Sequence, residues 1–68
     1  MKIKYDSEVD ILRLHWSNDV IEESDETKPG IILDYNEKGV VIGVEILKAS
    51  EQLEDWKQIE ELTVQNNN

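Results

Sequence analysis

No cysteine occurs in the chain, so disulfides cannot brace it, and its single histidine excludes the zinc sites built from several Cys and His ligands. Basic residues are few as well. Seven Lys and Arg stand against 16 Asp and Glu, a formal net charge of −9, and the seven are dispersed at Lys2, Lys4, Arg13, Lys28, Lys38, Lys48 and Lys57. A nucleic-acid surface needs clustered cations to displace counterions, so no nucleic-acid partner is expected. The same balance disfavours anionic membranes. No apolar run reaches the roughly 18 to 20 residues of a membrane span. The opening MKIKYDSEVD has two lysines but neither an apolar stretch nor a small-residue cleavage site after them, so no secretory signal is read and the cytoplasm is the expected location.

What is present is a small folding unit. Hydrophobic residues make up 38% of the 68 and charged ones 34%, too rich in Ile, Leu and Val for a disordered chain. A core of this size only marginally offsets chain entropy. With disulfides and metal set aside, help is expected from self-association or from a partner.

The central stretch is Gly30 to Leu47, GIILDYNEKGVVIGVEIL. Two β-branched runs flank Asn36-Glu37-Lys38-Gly39, whose last residue suits the left-handed position of a type I turn with a G1 bulge. If Asn36 lies opposite Val40, then Tyr35 faces Val41, Leu33 faces Gly43 and Ile31 faces Glu45. Ile32, Asp34, Ile42, Val44 and Ile46 then share the other side, and both faces read as largely apolar. Such a pair needs two covers.

Ahead of it, Lys2 to Tyr5 and Asp10 to Trp16 alternate as strands around the turn chemistry of Asp6-Ser7-Glu8. Val20 to Ser24 reads as a polar third strand, with Lys28-Pro29-Gly30 turning into the hairpin. The base-free acidic run from Asp19 to Glu26 suits an edge strand kept from aggregating. After Leu47, Ser50 reads as the N-cap of a helix. Leu53, Trp56, Ile59 and Leu62 recur every third residue, so their stripe drifts round the axis and only Leu53 and Trp56 are expected on the sheet. The expected fold is α+β, antiparallel hairpins or a meander of four to five strands with one C-terminal helix packed on the sheet. Residues 1–62 form one domain, and 63–68 a frayed polar tail. The expected core is Ile3, Leu12, Leu14, Ile32, Leu33, Ile42, Val44, Ile46, Leu53 and Trp56.

MKIKYD before a short strand, PGIILDYNEKG, and VVIGVEILKAS leading into a helix together resemble the small bacterial family catalogued as domain of unknown function 2283. The resemblance covers most of the chain and implies a hairpin-rich domain with a C-terminal helix. The family has no established activity; some relatives are encoded beside small toxin-like proteins, which implies an antitoxin or partner role by analogy. Asn36 stands where the family has Asp, and Ser7 where it has Pro, differences that bear on turn rigidity.

Candidate chemistry is sparse. Asp34 and Glu45, embedded in the hairpin, are the first acid-base candidates, but the favoured register points them to opposite faces, and a one-residue shift would be needed to bring them to one face. Their structural readings are a turn-side acceptor and a lysine-paired or solvent-facing residue. His15, two residues from Arg13, has no nucleophile in a recognisable motif. Ser17, Ser24 and Ser50 fall in turns or caps, outside any nucleophile elbow. Lys38-Gly39 lacks the rest of a phosphate loop, and the acidic run lacks the alternating ligands of a calcium loop. No cofactor or metal is expected. Trp16 and Trp56 read as core or interface anchors; the interface residues expected are Tyr35, Leu33, Val41, Trp56, Ile59 and Leu62. The expected function is a non-enzymatic interaction module with itself (a homodimer) or a small basic protein as partner, antitoxin-like in the latter case. The alternative is a small enzyme or ligand-binding domain using Asp34, Glu45 or His15 at a subunit interface.

Overall fold

The structure, a computed structural model, describes residues 1–54 and 56–58. Among them five strands form one antiparallel sheet: β1 (Lys2–Asp6), β2 (Ile11–His15), β3 (Glu23–Lys28), β4 (Ile31–Tyr35) and β5 (Val41–Leu47), in the order β1-β2-β5-β4-β3. The meander β3-β4-β5 returns to lie beside β2, a Greek-key order. One helical turn, α1 (Ala49–Gln52), follows β5. The fold is therefore α+β and mostly sheet, as the sequence predicts.

Local chemistry sets both turns of the meander. Asn36 and Val40 face each other through Asn36 N–H to Val40 C=O at 3.0 Å, and Gly39 N–H closes the turn onto Asn36 C=O at 3.0 Å. The Asn36 side-chain carbonyl takes the Lys38 and Val40 N–H groups, and Gly39 has φ 76°, the left-handed residue that such a turn requires. Pro29-Gly30 makes the other turn, with Gly30 N–H held by the Glu26 carboxylate at 2.8 Å.

The hairpin register departs from the expected one after its first pair. Tyr35 does meet Val41, but Asp34 meets Gly43, Leu33 meets Val44 and Ile31 meets Ile46. Ile42 is the extra residue, a β-bulge on β5, and it lies 3% exposed. The slip changes which residues share a face. Ile3, Leu14, Val44 and Leu33 now form one row across four strands, and Tyr5, Leu12, Ile46 and Ile31 the next. The opposite face carries Lys2, His15, Gly43, Asp34 and Ser24 in one row and Lys4, Arg13, Glu45, Ile32 and Glu26 in another. The hairpin is thus apolar on one side and mixed on the other. The expectation of two apolar faces fails because the bulge sorts the side chains by polarity, and burial rewards that sorting across the whole sheet.

Leu12, Ile46 and Ala49 are the buried centre, packed by Ile3, Tyr5, Leu14, Ile31, Val44, Leu53 and Trp56. Tyr5 meets Trp56 edge-on, with ring centroids 4.6 Å apart, a geometry worth about 0.5 to 1.5 kcal/mol beyond area alone. Of the expected core, Ile32 lies on the mixed face and is half-buried. Ala49 and Asp34, both fully buried, were not in the expected set.

β3 begins at Glu23 and not at Val20; residues 16–22 instead run past the ends of β5 and β4 to the outer edge. Every β3 residue is exposed, and Glu23, Asp25 and Glu26 place like charge along the free edge.

Ser50 is not the N-cap. Lys48 occupies that position, left-handed at φ 50° and without a side-chain cap. The acceptor for the helix start comes from the β1–β2 turn, where Asp10 is also left-handed at φ 56°. Its backbone carbonyl takes Ala49 N–H at 3.0 Å, and its carboxylate takes Ser50 N–H at 3.0 Å, the Ser50 hydroxyl at 2.6 Å and the Tyr5 hydroxyl at 2.8 Å. Leu53 is extended and ends α1, and residues 56–58 are helical again, so the drifting stripe is interrupted by a break. Ile59, Leu62 and the tail at 63–68 lie outside the described residues.

The Ser50 and Tyr5 hydroxyls, with the Ser50 N–H, hold the Asp10 carboxyl below its ordinary value of 3.8 against a smaller opposing effect of burial. A lowered carboxyl pKa stabilises the fold above the unfolded-state value, and that contribution is lost as pH falls through the folded-state value. The stability difference between the natural chain and Asp10→Asn is therefore expected to stay constant near neutrality and to shrink below about pH 4. Urea melts at stepped pH measure it; a difference that persists unchanged into acid would mean that the carboxylate charge plays no part in holding α1.

Candidate functional site

The mixed face gathers the three acid-base candidates. β2 brings His15, β4 brings Asp34, and β5 places a residue without a side chain, Gly43, between them. A Cβ at Gly43 would overlap the His15 ring, so the ring lies directly on the Gly43 backbone. That absence lets His15 Nε2–H reach across β5 to Asp34 Oδ2 at 3.0 Å. From the other side, the Ser24 hydroxyl donates to Asp34 Oδ1 at 2.6 Å. Asp34 is 0% exposed, and each of its oxygens has a donor, as a buried carboxylate demands. Beside this chain, Arg13 Nε–H donates to Glu45 Oε1 at 3.0 Å, an ion pair open to solvent on both sides.

Asp34 and Glu45 therefore share a face, contrary to the expected register, and the bulge at Ile42 is the reason. They do not act on one another: His15 and Ser24 hold the first, and Arg13 holds the second. The Ser24 hydroxyl points to the acid and not to the imidazole, so the order nucleophile, base, orienting acid is not the order present. What this arrangement does chemically is tie β2, β4 and the edge strand β3 through one carboxylate. The sequence carried a signal for it in Gly43, the one residue without a side chain inside β5, whose role is to let another side chain lie over it.

Gly43→Ala is expected to cost about 1 to 3 kcal/mol in urea melts, the range of overpacking. In a His15→Ala background the cost should shrink but not vanish, because the new Cβ also lies 2.8 Å from the Leu14 carbonyl oxygen. Equal costs in both backgrounds would show that the ring does not rest on Gly43.

The second cluster is at the end of the sheet where residues 16–22 pass the β4–β5 turn. Trp16 N–H donates to Ile42 C=O and its indole N–H to Val41 C=O, both at 3.1 Å, so this residue carries the β2–β5 pairing one step beyond His15 and Gly43 onto the bulge. Glu22 N–H bonds Tyr35 C=O at 2.8 Å, and Asn36 Nδ2–H bonds Asp19 Oδ2 at 2.9 Å. Between that segment and the turn opens a cavity of about 300 Å³ lined by Asp19, Val20, Glu22, Asn36, Glu37 and Lys38. Trp16 is 47% exposed, Val20 81% and Val40 54%, and Ile21 is exposed with them. Of the interface residues expected from sequence, Tyr35, Leu33, Val41 and Trp56 are half-buried, and Leu33 belongs to the apolar face with Val44.

Among the described residues no helix is long and apolar enough to cross a membrane, and no group of three or more His, Cys, Asp or Glu is placed to hold a metal ion. No curated protein and no solved structure matches the chain. One family model does, over residues 2–50, which takes in all five strands, the Asp10 clamp and both partners of the His15–Asp34 contact. The chain thus belongs to the protein family of unknown function DUF2283.

Proposed function

We propose that this protein is an acidic interaction module that binds a small basic protein through the end of the sheet formed by residues 16–22 and the β4–β5 turn. The carrying observation is the cavity there, in which Asp19, Glu22 and Glu37 face a single Lys38 while exposed Trp16, Val20, Ile21 and Val40 lie at the same end. An aromatic and aliphatic surface beside carboxylates suits a Lys or Arg side chain carried on an apolar segment. The net charge of −9 would speed encounter with such a partner. An antitoxin-like role, in which the partner is a small basic toxin, is the specific form of this reading.

Titration calorimetry against small basic proteins encoded by neighbouring genes, at physiological salt, tests it. Val20→Asp and Glu37→Lys, both exposed, should each weaken binding by about tenfold or more, and the association rate should fall as salt rises. Binding to none of these proteins, or binding indifferent to both substitutions, would sink the proposal.

A further inference from the structure

The mixed face of the sheet is polar in a directional way. Read across the five strands in register, one row runs Lys4, Arg13, Glu45, Ile32, Glu26. Positive charge occupies the β1–β2 side and negative charge the β5–β3 side, with an isoleucine among the acids. Lys2 extends the positive side in the neighbouring row. Arg13 and Glu45 neutralise each other inside the row, whereas Lys4 has no carboxylate partner among the described residues. Ile11, Ile32 and Leu47 are half-buried on this face, and the described apolar packing, with Ala49, Leu53 and Trp56, belongs to the opposite one.

A twofold axis parallel to the strands and midway between two facing sheets maps the β1 side of one copy onto the β3 side of the other. Rows then meet head to tail, so that Lys4 lies over the partner's Glu26 and Arg13 over the partner's Ile32, each contact occurring twice, while Glu45 on the central strand lies over the partner's Glu45. Facing sheets with nearly parallel strands about 10 Å apart are a common packing. An isologous contact requires a surface complementary to itself under the twofold; the Lys4 and Glu26 ends of this row meet that condition, and at its centre the two facing Glu45 carboxylates are each neutralised by the Arg13 of their own copy.

We propose that the mixed face is a self-association surface, joining two copies of this chain sheet to sheet, with Lys4 of each copy paired to the partner's Glu26. The surface is distinct from the sheet end assigned to the basic protein, so the two proposals stand or fall separately.

Sedimentation equilibrium of the full chain from a few micromolar to several hundred should give a mass rising to that of two copies. Lys4→Glu leaves two acids to face each other, and Glu26→Lys two lysines; each alone should weaken self-association by about tenfold or more. An equimolar mixture of the two variants should associate again, because Glu at 4 then meets Lys at 26 and Lys4 meets Glu26. Circular dichroism establishes that each variant is folded, and Ile32→Glu, a substitution in the same row that leaves the Gly30 turn contact of Glu26 intact, should lower the dimer independently. A natural chain that stays monomeric throughout, including one in which Lys4→Glu alters only the binding of another protein, overturns the proposal. So does a dimer indifferent to all three substitutions, or variants whose mixture stays monomeric.

Discussion

Ile42→Ala is expected to lower the unfolding free energy by about 2 to 5 kcal/mol, the cost of truncating a large aliphatic side chain in a packed site. Ile42 is 3% exposed, yet it is the surplus residue of the bulge. Its carbonyl can still accept from Trp16 N–H after the substitution, so the loss reports the missing side chain and not that hydrogen bond. Alanine would also weaken the reason for the bulge to exist, since an extra residue that buries little apolar surface offers less in return for the disrupted ladder. In a domain of this size the total stability is on the order of 5 kcal/mol, and a loss within the stated range would leave much of the population unfolded at ambient temperature. Urea melts decide it: a change below about 1 kcal/mol, typical of surface positions, would place Ile42 outside any core.

Asp34→Ala is expected to cost about 1 to 3 kcal/mol, and Asp34→Asn less. The carboxylate is fully buried and holds two donors on different strands. Removing it deprives both donors at once and opens space beneath the His15 ring. Asparagine keeps one acceptor and a similar volume, so part of the link remains. The penalty is bounded from above because the His15 side chain is 30% exposed and Ser24 sits on the edge strand, where water can replace the lost acceptor. Thermal melts should show a fall of roughly 4 to 8 °C per kcal/mol. Equal melting temperatures for the natural chain and Asp34→Ala would mean that the three-strand link adds nothing to stability.

The parts of this fold legible in sequence are those set by neighbouring residues. Asn36 to Gly39 specify their turn through one side chain and one left-handed glycine, and Pro29-Gly30 does the same for β3 and β4. The alternation in β2 identifies Leu12 and Leu14 as inward-facing without knowledge of any partner strand. The misreadings occur where a distant group decides. The turn sets the register only as far as Tyr35 and Val41; beyond that, sorting of Ile31, Leu33, Val44 and Ile46 against β2 draws in the bulge. Ser50 looks like a cap because its hydroxyl could take an N–H, but Asp10, forty residues earlier, does so instead. β3 has no apolar alternation, so its limits follow from pairing with β4. The same bulge explains why Asp34 and Glu45, read as pointing apart, share a face with His15. The Trp16 contacts and the acidic cavity depend on a loop crossing two strands, and no local pattern encodes that crossing.

The Greek-key crossing also governs the order in which the chain can assemble. β3, β4 and β5 pair through short turns and can form from a contiguous segment, whereas His15 meets Gly43 and Ile11 meets Leu47 across loops of roughly thirty residues. Closing such loops costs entropy before any contact offsets it. The β2–β5 seam is therefore expected to be the slow step of folding, and the His15–Asp34 contact and the Trp16 bonds to the bulge, which both span that seam, would be absent from any species in which only the meander has formed. Because β2 is synthesised first, it is expected to dock only after the β3-β4-β5 unit that follows it has formed.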